Sequence, residues 1–436
     1  MQTSFTLAQL ADPDTARSEK VLRKCVHCGF CTATCPTFVL LGDERDSPRG
    51  RIYMMKAMLE DARAPTESEV RHLDRCLSCL SCMTTCPSGV HYMHLVDHGR
   101  QHIEHSYTRP LGDRLMRGLL ALLMPNPRLF RLTTLAGWLA RPFVALLPAT
   151  SPDPGGATFL RRLRAMLDAV PRRLPAPSAM DRPQVFAAEG ERRLRVALLA
   201  GCGQQVLAPE VNEATIRLLT RHGAEVEIVA GSGCCGSSVL HVGRTEQARA
   251  LARANVAAWS GRGFDAIVAN ASGCGTTLKD YGHLLADDPA WAERAAVVAK
   301  LARDVSEVAR DLGVKGTAPR PLKIAYHAAC SMQHGQKIVE PPKALLRGCG
   351  FTVVDPGEAH LCCGWAGTYQ VLQPELSQRL RARKVGNLER TGADAIAAGN
   401  FGCVGHIGAA SGLPVVHTVE LLDWATGGPE PRALAG

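Results

Sequence analysis

Two stretches of this 436-residue chain carry cysteine at the same spacing. Residues 24–37 read KCVHCGFCTATCPT, with Cys25, Cys28, Cys31 and Cys35 ahead of Pro36. Residues 75–88 read RCLSCLSCMTTCPS, with Cys76, Cys79, Cys82 and Cys86 ahead of Pro87. Three thiolates at every third position can wrap one corner of an iron–sulfur cubane, and the fourth, set further on, points away from it. In two-cluster proteins of this spacing the fourth cysteine serves the other cluster. The pattern therefore predicts two [4Fe–4S] clusters, one on Cys25, Cys28, Cys31 and Cys86, the other on Cys76, Cys79, Cys82 and Cys35. The proline after each fourth cysteine lacks an N–H and ends the local turn, as a chain leaving a cluster requires. A structural zinc site needs only four ligands, usually in paired C-x2-C units, and does not account for two matched runs of four.

A second cysteine pattern fills the C-terminal half. RRLRVALLAGCGQQV (192–206) is repeated as RPLKIAYHAACSMQH (320–334), so Cys202 maps to Cys330. At the same offset Cys234 and Cys235 map to Cys362 and Cys363, and each pair is followed by glycine, Gly236 or Gly364. Cys274 and Cys403 close the copies in FDAIVANASGC and ADAIAAGNFGC. This is a tandem duplication. Four thiols per copy suit a further iron–sulfur cluster or a zinc ion, and a redox-active cysteine pair is the third reading. Glycine beside the cysteines fits a backbone that must approach a bulky cluster. His27, His327, His334, His360 and His406 lie near cysteines, as ligands or as hydrogen-bonding core residues. Gly231-Ser-Gly233-Cys-Cys-Gly236 spells G-x-G-x-x-G, but the second copy keeps only Cys-Cys-Gly. No acidic residue follows at the ribose position, so the triplet carries no nucleotide fingerprint.

The elements that must hold these residues follow from local pattern. Between the first two motifs, Ser47-Pro48 reads as an N-cap with proline at the first helical position. Ile52, Met55 and Leu59 then recur at helical spacing. Thr66 and Glu69 form a capping box that opens a second helix leading into Cys76. Arg49 and Arg51 either neutralise cluster charge or lie on a solvated face. In the repeats the order strand, Cys, helix, strand, Cys-Cys-Gly, helix, strand, Cys implies parallel α/β layers with cysteines where strands end. The expected fold class is α+β multi-domain: an α-helical two-cluster ferredoxin domain (1–110), a helical connector with a Pro/Arg-rich linker (111–191), and two tandem α/β Cys-Cys-Gly domains (192–318 and 319–436).

Bulk properties narrow the function. Hydrophobic residues make up 46% and charged residues 21%, the balance of a globular protein. The N-terminus shows no basic region followed by an apolar one, so the seventeen cysteines read as metal ligands or reactive thiols rather than a disulfide framework. The net charge is +9 with arginine clusters at Arg161–Arg164 and Arg172–Arg173, yet aromatics are only 5%, and no nucleic-acid surface stands out. A basic balance suits an anionic membrane surface or an acidic partner equally. No run reaches the roughly eighteen apolar residues of a spanning helix. The apolar stretch from Gly118 to Ala149 is cut by Pro125, Pro127 and Pro142; it reads as a core helical hairpin or as a docking or membrane-surface element.

In this order the motifs LRKCVHCGFCTATCPT, LLGDERDSPRGRIY, HLDRCLSCLSCMTTCPSGV, NASGCG, HLCCGWAGTY and the NFGC segment resemble, nearly end to end, the iron–sulfur subunit of glycolate oxidase (glycolate dehydrogenase). The Cys-Cys-Gly half is similar more broadly to heterodisulfide reductase subunits. The chain departs from those relatives at Ala328, where an extra cysteine often stands, and at Thr277 and His406, where their C-x2-C partner would be. These departures argue against five-cysteine clusters. The resemblance implies an electron-transfer subunit of a flavin-dependent 2-hydroxy-acid dehydrogenase, with no catalytic residue of its own. A FAD-containing partner in a hetero-oligomer would oxidise glycolate to glyoxylate, and this chain would pass the electrons to quinone or another membrane acceptor. Its place would be cytoplasmic and peripheral on the inner face of the cytoplasmic membrane. The alternatives are a thiol–disulfide reductase of the heterodisulfide type, or a relay for lactate or glycerol 3-phosphate dehydrogenase.

Overall fold

A computed structural model describes residues 1–149, 158–171 and 173–435; Arg172 and part of the Pro/Arg-rich linker lie outside the described residues. The N-terminal region is helical. Asp12 caps the helix Pro13–Lys24, which delivers the chain to Cys25. Ser47 Oγ accepts the Gly50 N–H at 2.9 Å and starts the helix Pro48–Glu60. Thr66 and Glu69 exchange N–H bonds of 2.7 and 3.2 Å as a capping box for Glu67–Asp74. Both starts fall where the sequence puts them. These helices and Tyr92–Ser106 close around Leu22, Met55, Met58, Leu73, Leu95 and Ile103, all fully buried. Gly99 permits the close approach: a Cβ there would sit 2.7 Å from Met55 Sδ.

The apolar stretch forms a hairpin of helices Leu111–Leu123 and Pro127–Ala140, then a short turn Arg141–Leu146. It does not lie in the core. Met116, Leu120 and Ala121 face inward, whereas Leu111, Leu115, Leu119 and Leu122 on the opposite face are exposed, as are Leu132, Leu139 and Phe143. An ion-pair network ties its base down. Asp74 is gripped by Arg109 at 2.8 Å and Arg117 at 2.7 Å, and Asp113 joins both arginines and Arg162.

The C-terminal half holds two sheets. The first comprises β1 (Gln184–Phe186), β2 (Leu194–Leu198), β3 (Ala224–Ile228), β4 (Ala266–Ala269) and β5 (Ala302–Asp304), in the order β1-β3-β2-β4-β5. All pairs are parallel except β1 on β3. The second comprises β6 (Lys323–His327), β7 (Thr352–Val354), β8 (Ala395–Ala398) and β9 (Val415–His417), ordered β7-β6-β8-β9 and wholly parallel. The register repeats: Val196 lies opposite Ala266, and Ile324 opposite Ala395. Parallel strands are buried on both faces, which is why they read as apolar runs. Leu198, Val226, Ile324, Tyr326 and Ala395 share one core across the two sheets.

In each sheet the chain leaves the first strand to one side and returns on the other. This creates a switch point between β2 and β4, and again between β6 and β8, where open α/β sheets place their ligands. Cys202 and Cys274 follow β2 and β4; Cys330 and Cys403 follow β6 and β8.

Candidate iron–sulfur sites

The two ferredoxin loops adopt one backbone conformation. His27 and Gly29 take left-handed φ values of 56° and 85°, and their counterparts Ser78 and Leu80 take 52° and 63°. Such turns aim successive N–H groups inward and form an anion-binding concavity. Ser78 N–H points to Cys76 Sγ at 3.5 Å. Holding non-glycine residues there costs about 1–3 kcal/mol each, a strain that persists where a site over-determines it.

The loops are interleaved. Cys25, Cys28 and Cys31 surround a cleft that Cys86 and the edge of Cys82 complete. A second cleft is walled by Cys76, Cys79 and Cys82 together with Cys35. Each motif's fourth cysteine lines a cleft with the other motif's first three, and Cys82 borders both clefts.

Electrostatics separate the thiols. Burial, and then Cys25 and Cys35, push the Cys31 thiol up to about 11. Burial likewise pushes Cys79 and Cys82 well above the ordinary range, with neighbouring thiols adding to it. Cys76 goes the other way: burial opposes ionisation, but Arg51 and Arg100 outweigh it. Arg51 is 1% exposed and donates to the His72 carbonyl at 2.7 Å and Thr37 Oγ1 at 3.0 Å, with Cys35 Sγ at 3.8 Å. It is a buried cation at the second cleft rather than part of a solvated face. Arg49 lies by the first cleft, bonded to the His27 carbonyl at 3.2 Å and to Glu44. Crowded, buried thiols that resist ionisation fit a polynuclear cation, which would turn them into ligating thiolates.

Each repeat brings cysteines from three of its loops together. In the first, Cys202, Cys234, Cys235 and Cys274 are neighbours whose thiols, with burial, hold Cys202, Cys234 and Cys235 above the ordinary thiol range. In the second, Cys330 Sγ lies 3.6 Å from Cys362 Sγ, and Cys363 Sγ 3.5 Å from Cys403 Sγ. The N–H of Gly236 and of Gly364 each reach the first cysteine of the pair at 3.4 Å. These glycines serve the fold more than a cluster. Both take positive φ, 90° and 96°, and a Cβ on Gly364 would meet the Ser377 carbonyl at 2.5 Å. Asn255 and the Tyr281 hydroxyl hold the Cys234 and Cys235 carbonyls, each at 2.9 Å. Cys349 stands apart, fully buried in the shared core.

Both repeats open on one cavity of about 220 Å³, roofed by the helical hairpin. Its wall includes Cys202, Cys235, Cys274, Cys330, Cys363 and Cys403. Ser272 Oγ and Ser331 Oγ join the copies there at 2.8 Å. The ferredoxin region meets both repeats: His94 bonds Asp280 of the first at 2.9 Å, while Cys79 packs in one apolar cluster with Cys362 and Cys330 of the second, beside Leu77, Tyr369 and Leu380. Of the five histidines near cysteines, His334 is used by Thr84 Oγ1 and the His360 carbonyl, and His406 meets Ser377. His27 Nε2 is buried without a partner, and His327 is the more extreme case. It is buried beside Cys363 and Cys403 with neither ring nitrogen hydrogen-bonded.

Crossed ferredoxin loops abutting a duplicated cysteine-rich α/β unit define an iron–sulfur protein. Comparison with known proteins agrees. A 4Fe-4S dicluster domain matches residues 24–90, and a cysteine-rich domain matches 196–279 and 324–408. The chain is 40% identical over 430 residues to the "Glycolate oxidase iron-sulfur subunit" of Escherichia coli, covering 98% of this chain and 99% of that one. It is 32% identical over 448 residues to the "Probable glycolate oxidase iron-sulfur subunit" of Bacillus subtilis, covering 98% and 99%. "Lactate utilization protein A" of an Exiguobacterium species is 32% identical over 241 residues, 52% of this chain and 96% of that one. The chain belongs to the glycolate oxidase iron–sulfur subunit family, and its cofactors include two [4Fe–4S] clusters. A hypothetical protein from Helicobacter pylori, known from a crystal structure, shares the fold alone, with a TM-score of 0.53 at 10% identity over 97% of this chain and 74% of that one. No described helix is long and apolar enough to cross a membrane.

Proposed function

We propose that this chain relays electrons within a glycolate-oxidising complex, from a FAD-containing partner that converts glycolate to glyoxylate toward quinone. The two clusters are held by Cys25, Cys28, Cys31 and Cys86, and by Cys76, Cys79, Cys82 and Cys35; each repeat holds a further metal centre on its four cysteines. Bound there, such centres supply one-electron redox steps. The chain's own residues set the route. Cys28, Val26 and Phe30 are exposed on the first loop with Tyr53 beside them, a surface for the flavoprotein. Arg51 and Arg100 place positive charge at the second cluster, which favours adding an electron there. The contact of Cys79 with Cys330 and Cys362 is the observation that carries this reading, because it leads from the ferredoxin region into the second repeat. Leu77, Tyr369 and Leu380 keep water out of that junction.

The hairpin is the part that meets a membrane. Residues 114–149 contain five arginines and no acidic residue; Arg117 is buried in the ion pairs at the base, and the other four put positive charge beside the apolar outer face. Such a surface suits the interface of an anionic bilayer. The protein is then peripheral, on the cytoplasmic face.

Reconstitution tests the division of labour. The isolated, cluster-loaded chain is expected to leave glycolate unchanged and to restore quinone reduction when mixed with its flavoprotein. Reduction of a disulfide by the chain alone would overturn the reading in favour of thiol chemistry.

A further inference from the structure

We infer that His327 is a nitrogen ligand to a metal ion of the centre in the second repeat, so that the two repeats hold chemically different centres. This rests on the reading that the second repeat binds metal. His327 ends β6, three residues before Cys330, and is 1% exposed. A ring nitrogen lies with Cys363 Sγ and Cys403 Sγ in a group whose members are all within 4.8 Å of one another. Neither ring nitrogen has a hydrogen-bond partner. Buried polar groups in folded proteins are almost always satisfied. A ring with neither nitrogen partnered, one of them facing two thiols, points to a partner that is not polypeptide. Neutral imidazole beside thiolates is a donor set that iron and zinc both accept.

The duplication supplies an internal control. The position matching His327 in the first repeat is Leu199, also buried, immediately after β2. Leucine offers no donor, so the first repeat is left with its four thiols. A neutral nitrogen ligand leaves less negative charge at the metal than a thiolate does, and raises its reduction potential. The second repeat is also the one that Cys79 adjoins. A higher potential there would draw electrons out of the ferredoxin region.

The test uses the full chain purified anaerobically, with iron, sulfide and zinc counted first. If neither iron beyond eight atoms nor zinc is present, the repeats are empty and both this inference and the metal reading behind it fall. If metal is present, pulsed EPR of the reduced protein is expected to show nitrogen coupling of the strength of a directly bound imidazole. For a zinc centre, zinc-edge X-ray absorption is expected to show a nitrogen neighbour among the sulfurs. In His327→Leu that signature should vanish while the signals of the two ferredoxin clusters stay. An all-sulfur shell in the wild type, or a nitrogen signature that survives in His327→Leu, overturns the assignment of His327 and leaves the metal reading standing. Should that variant not fold, His327→Gln, which keeps the side chain's bulk and polarity, is read in the same way, and an all-sulfur shell in the wild type overturns the assignment without any variant.

Discussion

Arg51 shows how much of this protein's chemistry hangs on single buried side chains. Its guanidinium is paired with Asp46, which Arg75 also holds at 2.9 Å, and it faces Cys35 and Cys76. Replacing it as Arg51→Gln keeps donors but removes the charge. The second cluster should then titrate at lower potential by about 100 mV, the scale of one charge lost several ångströms away at an effective dielectric of about 20. An EPR-monitored redox titration reads this directly, and an unchanged potential would mean that Arg51 is only a scaffold for Asp46. At this scale the cysteines were legible because ligand spacing is local. The role of Arg51 was not, since its burial depends on the helix Pro48–Glu60 crossing the second loop. His327 stood among five histidines in the sequence, and only packing shows it buried among thiols with both ring nitrogens unpartnered.

At the scale of elements, capping residues and the alternation of strand and cysteine gave helix starts and parallel sheets correctly, because those signals are carried within a few residues. The strand β1 was missed. Three residues, two of them exposed, leave too little pattern to read within a Pro/Arg-rich segment. The hairpin was legible as a hairpin through Pro125, Asn126 and Pro127, but an element apolar all round does not reveal which face stays uncovered. The structure uncovers the face of Leu115, Leu122, Leu132 and Leu139. Replacing these four by glutamate should abolish flotation with vesicles of anionic lipid, since each leucine removed from water contributes on the order of 1–2 kcal/mol. Helix content and iron content should not change. Vesicle binding equal to that of the wild type would remove the hairpin from the membrane; loss of flavoprotein binding instead would give this surface to the partner.

Across the whole molecule, duplication followed by divergence turns two like domains into unlike stations. They share one core, so their cysteine loops keep a fixed relation across the common cavity. Cys79 packs with two cysteines of the second loop set, whereas the first repeat meets the ferredoxin region through pairs such as His94–Asp280 and Arg17–Asp287. That asymmetry implies a sequence: first cluster, second cluster, second repeat, then the cavity beneath the hairpin. The most direct measurement is rapid-freeze EPR and quinone assay on the reconstituted complex after mixing with glycolate, with wild type beside Cys79→Ser. The account predicts that the variant loses one ferredoxin-cluster signal and reduces quinone at least tenfold more slowly, while glycolate still reduces the flavin at the normal rate. Quinone reduction at the wild-type rate in Cys79→Ser would contradict a relay through the second cluster.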